Sequence, residues 1–319
     1  MIVKAGESRQ DTLRSGTYDS ISLIAYLAGQ TANTAINAAG YNPSLVNVKC
    51  LLKRNGKNTT IFQDNLQLLG IFNSYRKGYS NFINGVDKVY PAAGVKPVKL
   101  RPVTLYFGSP LRINPGDELV IEITPASTVF THATVDGAAS YIEFYANETV
   151  GYELGVGVTT CEVIQAASNK QSFNPGDFVN DLMIVNLDKD TLTDEVITNF
   201  QLSSDKLNLG LSFNQLLERN SMFDTEGMPY RYGTAVPVTL ASQDVFRGLP
   251  FNPQTFVISK DIELNNVRID MSFNSSQVAN AQNYVIYRRL ITDRKTLAEA
   301  INRKNKHMAE NYDKLPAFV

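Results

Sequence analysis

Apolar residues along this chain fall in short runs rich in Val, Ile, Tyr, Phe and Thr, set apart by clusters of Gly, Pro, Asn and Asp, the pattern of β-strands joined by turns. The runs predict strands over Val46 to Leu52, Val98 to Phe107, Glu118 to Thr124, Ser140 to Ala146, Thr159 to Gln165, Leu182 to Leu187, Ile197 to Leu202, Val236 to Ala241, Thr255 to Ser259, Val267 to Phe273 and Tyr284 to Ile291. Several alternate: Leu119, Ile121 and Ile123 share one face of their strand, while Glu118, Glu122 and Thr124 lie on the other. One face is core and the other is wet. Asn55-Gly56, Asn84-Gly85, Asp136-Gly137 and Pro115-Gly116 offer the positive or fixed φ that a chain reversal requires. The fold class is all-β, and turns at this spacing suggest sandwiches or barrels.

Short sequences recur in order. Pro102-Val103-Thr104-Leu105, Gly108-Ser109-Pro110 and Ile113-Asn114-Pro115 are matched by Pro237-Val238-Thr239-Leu240, Gly248-Leu249-Pro250 and Phe251-Asn252-Pro253, at spacings of 135 to 140 residues. A short amphipathic segment precedes each block, Asn65-Leu66-Gln67-Leu68-Leu69 in one half and Phe213-Asn214-Gln215-Leu216-Leu217 in the other, 148 apart. The turn Phe173-Asn174-Pro175-Gly176-Asp177 resembles Ile113-Asn114-Pro115-Gly116-Asp117 and falls where a second module should begin. Ordered self-similarity marks a repeated structural unit. At 319 residues the chain has room for two modules of about 150 residues, each able to bury its own core.

From Thr292 to Leu315 the pattern changes: Gly and Pro are absent, and Leu297, Ile301, Met308, Tyr312 and Leu315 follow helical spacing. The stripe is interrupted near Lys304. Arg294, Lys295, Arg303, Lys304 and Lys306 make this C-terminal helix basic, which suits either a helix capping its own or a neighbour's sandwich or one lying on an anionic membrane face.

Charged residues make up 19% of the chain and balance to a net −1, so no overall field attracts nucleic acid, and direct nucleic-acid binding is not expected. Cys50 and Cys161 are too few for a disulfide framework. The N-terminal apolar run from Ile21 to Ala28 is broken by Ser22 and lacks a cleavage context, and no apolar stretch reaches the roughly 20 residues of a membrane span. His132 and His307 are the only histidines, too few for the clustered ligands of sandwich-fold metalloenzymes or for a triad, and no Gly-x-Ser-x-Gly elbow is present. Asn55-Gly56-Lys57-Asn58-Thr59 reads as a hairpin rather than a phosphate loop, and Gly151 to Gly157 as a glycine-rich connection rather than a dinucleotide fingerprint. The acidic run Asp188 to Glu195 lacks EF-hand spacing. No catalytic residue, no cofactor and no definite metal site is assigned.

With its ordered repeats and no chemical site, the chain resembles the double jelly-roll major capsid proteins of tailless icosahedral viruses with an internal membrane. The similarity rests on Pro102 to Leu105 and Asn114-Pro115 against Pro237 to Leu240 and Asn252-Pro253, over about residues 40 to 291. Its compactness is most similar to the smallest members, from lipid-containing bacteriophages. The resemblance implies two tandem eight-stranded jelly rolls with short helices, and a homotrimeric, pseudo-hexagonal capsomer that tiles a shell over a membrane. It also implies lateral capsomer contacts, penton and minor capsid partners, a place in the virion, and synthesis in the host cytoplasm. Long tower insertions are absent. The expected layout is an N-terminal arm over 1–40, a first jelly roll over 41–170, a second over 171–291, and a C-terminal helix and tail over 292–319. A carbohydrate-binding or adhesive surface sandwich is the alternative, and a hydrolase using paired carboxylates a more distant one.

Overall fold

The computed structural model describes residues 1–30, 36–37, 40–77, 89–90, 97–100, 102–151, 153–164, 169–186, 197–212, 215–216, 256–259, 262–274, 283–291, 302 and 306. In chain order its strands are β1 (Ile2–Lys4), β2 (Arg9–Leu13), β3 (Gly16–Gly29), β4 (Ile36–Asn37), β5 (Val46–Arg54), β6 (Lys57–Asn65), β7 (Val89–Tyr90), β8 (Val98–Lys99), β9 (Val103–Ile113), β10 (Glu118–Pro125) and β11 (Val135–Glu148). The second half adds β12 (Val156–Val163), β13 (Lys170–Gly176), β14 (Val179–Asn186), β15 (Ile197–Ser203), β16 (Leu209–Ser212), β17 (Phe256–Ser259), β18 (Val267–Phe273) and β19 (Asn283–Ile291). Helix α1 (Leu66–Lys77) follows β6.

These strands build two antiparallel sandwiches. In the first, the sheet β2-β10-β5-β6 faces the sheet β1-β11-β3, whose β3 edge is shared by β8 and β9. In the second, β13-β18-β15-β16 faces β12-β19-β14-β17. Setting aside β4, β7 and β8, the two halves have the same strand order in both sheets. Inward side chains alternate as the pleat requires: Leu119, Ile121 and Ile123 on β10, and Val267, Ile269 and Met271 on β18, are buried in their respective cores.

This topology corrects three expectations. Residues 1–29 of the expected arm are instead strands of the first sandwich: β1, β2 and β3 pair with β11, β10 and β9, and Val3, Ile21, Leu23 and Leu27 lie in the first core. The boundary between modules falls in the connection 149–155 rather than at 170, because β12 pairs along β19 from Val156↔Ile291 onward. The repeat spaced at 135 to 140 residues does not relate equivalent strands: the counterpart of β9 is β17, while residues 237–240 lie outside the described residues. The spacing of 148 does relate them, since it superposes Leu119, Ile121 and Ile123 on Val267, Ile269 and Met271. The two Asn-Pro-Gly-Asp turns are likewise not equivalent, one joining β9 to β10 and the other β13 to β14.

Tight reversals gather at one end of each sandwich. At Asn55 and Gly56 (φ 52° and 71°) the β5–β6 hairpin turns as Asn-Gly predicts, and Gly116 (φ 93°) closes the β9–β10 turn with Asp117 N–H donating to the Asn114 carbonyl. Asp136-Gly137 is instead part of an irregularity within β11, where the Asp136 carboxylate accepts from the Ala138 and Ala139 amides. The longer connections, such as those from β6 to β9 and from β16 to β17, leave from the opposite end. Truncating Phe200, fully buried on β15, should cost about 3–5 kcal/mol in urea unfolding, whereas Gln201→Ala on the wet face of the same strand should change stability by no more than about 0.5 kcal/mol.

Candidate functional site: the joint between the sandwiches

Helix α1 begins where Asn65 caps it, the Leu68 amide donating to Asn65 Oδ1 at 2.9 Å. Two apolar faces follow. Leu66 and Leu69 point into the first core, while Leu68, Ile71 and Phe72 point away from it and form a separate cluster with Met183 and Val185 of β14, Val257 of β17 and Ile286 of β19. A helix apolar on both sides belongs between two layers. The sheet it meets is also two-faced: Leu182, Ile184, Phe256, Ile258, Val285 and Tyr287 fill the second core, and the residues alternating with them lie under α1.

One charged side chain is sealed into this layer. Arg288, on the same outward face of β19 as Ile286, is 2% exposed, and its guanidinium carbon lies 5.0 Å from the centre of the Phe72 ring. Its Nη2 donates to Asn73 Oδ1 (3.1 Å) and to the Tyr106 carbonyl (3.3 Å), both in the first sandwich. Its Nε donates to Thr159 Oγ1 (3.2 Å), and Nη1 lies 3.7 Å from Asp181 Oδ2, both in the second. Asn73 is held in turn: its Nδ2 donates to the Leu69 carbonyl, and its Oδ1 also accepts from the Tyr106 amide at 2.9 Å. Every donor so engaged lowers the cost of burying the charge.

Beside this network the two backbones touch. A Cβ on Gly157 would stand 2.2 Å from the Phe107 carbonyl oxygen, so β12 can cross β9 only with glycine there. Higher on β12, the Cys161 thiol is hydrogen-bonded to Asp64 of β6. Burial pushes the Asp64 carboxyl up from its ordinary value, although bonds from the Asn65 amide and the Cys161 thiol pull the other way. Burial, and then the Asp64 charge, raise the Cys161 thiol as well. The linker itself is pinned by Glu153, which accepts from Arg54 Nη2 (3.1 Å) and the Arg112 amide (2.9 Å), while Arg54 Nε meets Asp117 Oδ2 at 3.2 Å.

The second sandwich starts its own helix at the matching place. Ser212, the last residue of β16, and Gln215 exchange the two bonds of a capping box, and Leu216 enters the second core as Leu69 enters the first. On the first sandwich, the face equivalent to the one under α1 carries Ile2, Tyr141, Glu143 and Tyr145 on its β1–β11 side, with Ile2 and Tyr145 exposed. Tyr26 and Tyr141 stack there with ring centres 4.8 Å apart. The Tyr145 hydroxyl, bonded to Glu143, has its pKa raised, and Glu143 is correspondingly lowered.

Of the basic residues singled out in the sequence, Lys306 is helical and exposed, whereas Arg294, Lys295, Arg303 and Lys304 lie outside the described residues, as do Asn84-Gly85, Asp188 to Glu195 and His307. His132 sits in the loop before β11, its Nδ1 2.8 Å from Thr134 Oγ1. Among the described residues no group of three or more His, Cys, Asp or Glu side chains is placed to hold a metal, and no helix is long and apolar enough to cross a membrane. Sequence reasoning did not find the joint, although a signal was there: Leu182-Met183-Ile184-Val185 and Phe256-Val257-Ile258 do not alternate, the mark of a sheet covered on both faces.

Neither a family model nor a curated protein matches the sequence. Among solved structures the chain is similar to the major capsid protein of Sulfolobus turreted icosahedral virus in its crystal structure, with a TM-score of 0.55 and 13% identity over 99% of this chain and 96% of that one. The atomic structure of the same virus gives a TM-score of 0.54 and 13% identity, covering 95% of each chain. The chain folds as a double jelly roll. The major capsid protein P2 of bacteriophage PM2 is a further match at a TM-score of 0.47 and 12% identity, over 92% and 95% of the two chains. Each jelly roll is one of the two sandwiches, and the joint is the contact that fixes one against the other.

Two outcomes are expected. Arg288→Ala should destabilise the double jelly roll by about 3–5 kcal/mol in denaturant unfolding, because Asn73, Asp181 and the Tyr106 carbonyl lose their shared partner, and Arg288→Met should recover only the part of that cost that comes from lost packing. For Asp64 the folded pKa lies above the unfolded one, so the folded chain binds the proton first. The cost of the buried charge is therefore full at neutral pH and fades as pH falls through the folded value toward about 4. Asp64→Asn should raise Tm at pH 7, with the difference from the unsubstituted chain vanishing in acid.

Proposed function

We propose that this protein is a non-enzymatic major capsid subunit, three copies of which form a pseudo-hexagonal capsomer that tiles an icosahedral shell over an internal membrane. The observation that carries this reading is the joint itself. It is heterologous: the helix of one jelly roll covers the outer sheet of the other, and the two jelly rolls share one topology. A heterologous contact repeated by rotation closes into a ring when the angle divides the circle. If the second jelly roll, through the helix begun at Gln215-Leu216, makes the same kind of contact with the β1-β11-β3-β9 face of a neighbouring copy, six jelly rolls close a ring from three chains.

Jelly rolls also hide their strand edges within two packed sheets, an advantage for a protein made at high concentration. The double jelly-roll fold shared with the major capsid protein of Sulfolobus turreted icosahedral virus supports a place in the virion. Penton and minor capsid partners and the underlying membrane follow from the resemblance to capsid proteins of membrane-containing viruses.

Light scattering of the purified chain should give a species of about 106 kDa, three chains of 35.3 kDa. A strictly monomeric protein at high concentration, particularly one that binds glycans, would contradict the proposal and favour an adhesive surface sandwich.

A further inference from the structure

The strand registers of the two jelly rolls superpose position by position. Ile24 of β3, Glu143 of β11 and Ile2 of β1 stand side by side in the first, as Met183 of β14, Ile286 of β19 and Cys161 of β12 do in the second. The adjoining inward positions agree, with Ala25 and Ile142 in one core and Ile184 and Val285 in the other. Counting along the same pairs puts Tyr145 at the place of Arg288 and Tyr26 at the place of Val185. In the second jelly roll these places form the joint, under α1. In the first, Tyr145 and Ile2 keep 40% and 52% of their surface in solvent.

The chemistry at these places differs between the two faces. Where the joint has Ile286 and Val185, the first jelly roll has Glu143 and Tyr26, and the Glu143 carboxylate accepts from the hydroxyls of both Tyr26 and Tyr145. Tyr141 stacks on Tyr26, with ring centres 4.8 Å apart and 15° between the planes. Rings tied to one another in this way have little freedom left to lose on binding. Tyrosines on an open sheet face, each with an apolar body and a polar tip, are the composition of a protein-binding hot spot. The lone pairs left on the phenol oxygens suit hydrogen-bond donors on the partner. A second copy of this chain is the occupant that fits: the matching face within the chain already receives a neighbouring jelly roll, and a heterologous contact leaves its counterpart face open. We propose that Tyr145, with Tyr26, Glu143 and Ile2, is the anchor at which the second jelly roll of another copy docks, in the place that Arg288 holds inside the chain. Resting on the capsomer reading above, this assignment adds the side chains that recognise the neighbour. It also makes the two contacts of the ring unlike. An apolar helix such as α1 would strip water from Glu143, so the joint and the contact between chains cannot be exchanged.

Sedimentation of the full-length chain over a dilution series tests it, beside Tyr145→Ala and, as a second variant, Ile2→Asp. The unsubstituted chain should run as a trimer. In either variant the concentration at which half of the chains are monomers should rise about thirtyfold or more. Hydrogen-exchange protection of β5 and β15, kept in both variants, is the control for folding. A trimer of unchanged affinity in both folded variants overturns the anchor and leaves the capsomer to form through another face. An unsubstituted chain that stays monomeric at every concentration overturns the capsomer, and the anchor with it. If that monomer binds a glycan array and Tyr145→Ala abolishes the binding, the rings belong to a carbohydrate site instead.

Discussion

The structure depends on one constraint: the sheet β12-β19-β14-β17 is apolar on both faces. A sheet of this kind has no stable single-sandwich solution, because Met183, Val185, Val257 and Ile286 would face water as soon as their neighbours filled the core. Helix α1 of the first jelly roll supplies the missing layer, and its own two-faced character has the same origin. Burial of Arg288 then gives the contact a direction. Its donors need Asn73 and the Tyr106 carbonyl on one side and Thr159 on the other, a geometry that a slipped interface could not satisfy.

From this follow the other features of the joint. Gly157 is required because the helix draws β12 against β9, and the salt-bridged Arg54, Asp117 and Glu153 keep the connection short by tying it to the first jelly roll. The pair is thereby one body rather than two beads on a linker. A rigid pair of like modules with a heterologous joint is what the proposed ring of six near-equivalent modules would need from each of three chains.

How much of this was legible in the sequence depended on whether the determining contact was local. The strand Val267–Phe273 and the Asn55-Gly56 hairpin are specified by alternation and by turn stereochemistry, and both were read directly. β3 was missed because its apolar run, buried on both sides along much of its length, does not alternate, and β13 because Asn174-Pro175-Gly176 reads as a turn although it forms an irregular strand end. The duplication was visible but misaligned: identities such as Pro-Val-Thr-Leu reflect strand composition, whereas the spacing of 148 reflects burial, which only pairing partners reveal. Arg288 was not singled out in the sequence, since nothing in Tyr287-Arg288-Arg289 shows that a helix from residue 66 onward will cover it.

Electron microscopy of the purified protein tests the central claim most directly, that the joint turns duplication into a ring. Class averages viewed along the symmetry axis should show six lobes of nearly equal size around a threefold centre. Separate two-lobed particles, or two lobes at variable angles, would contradict it.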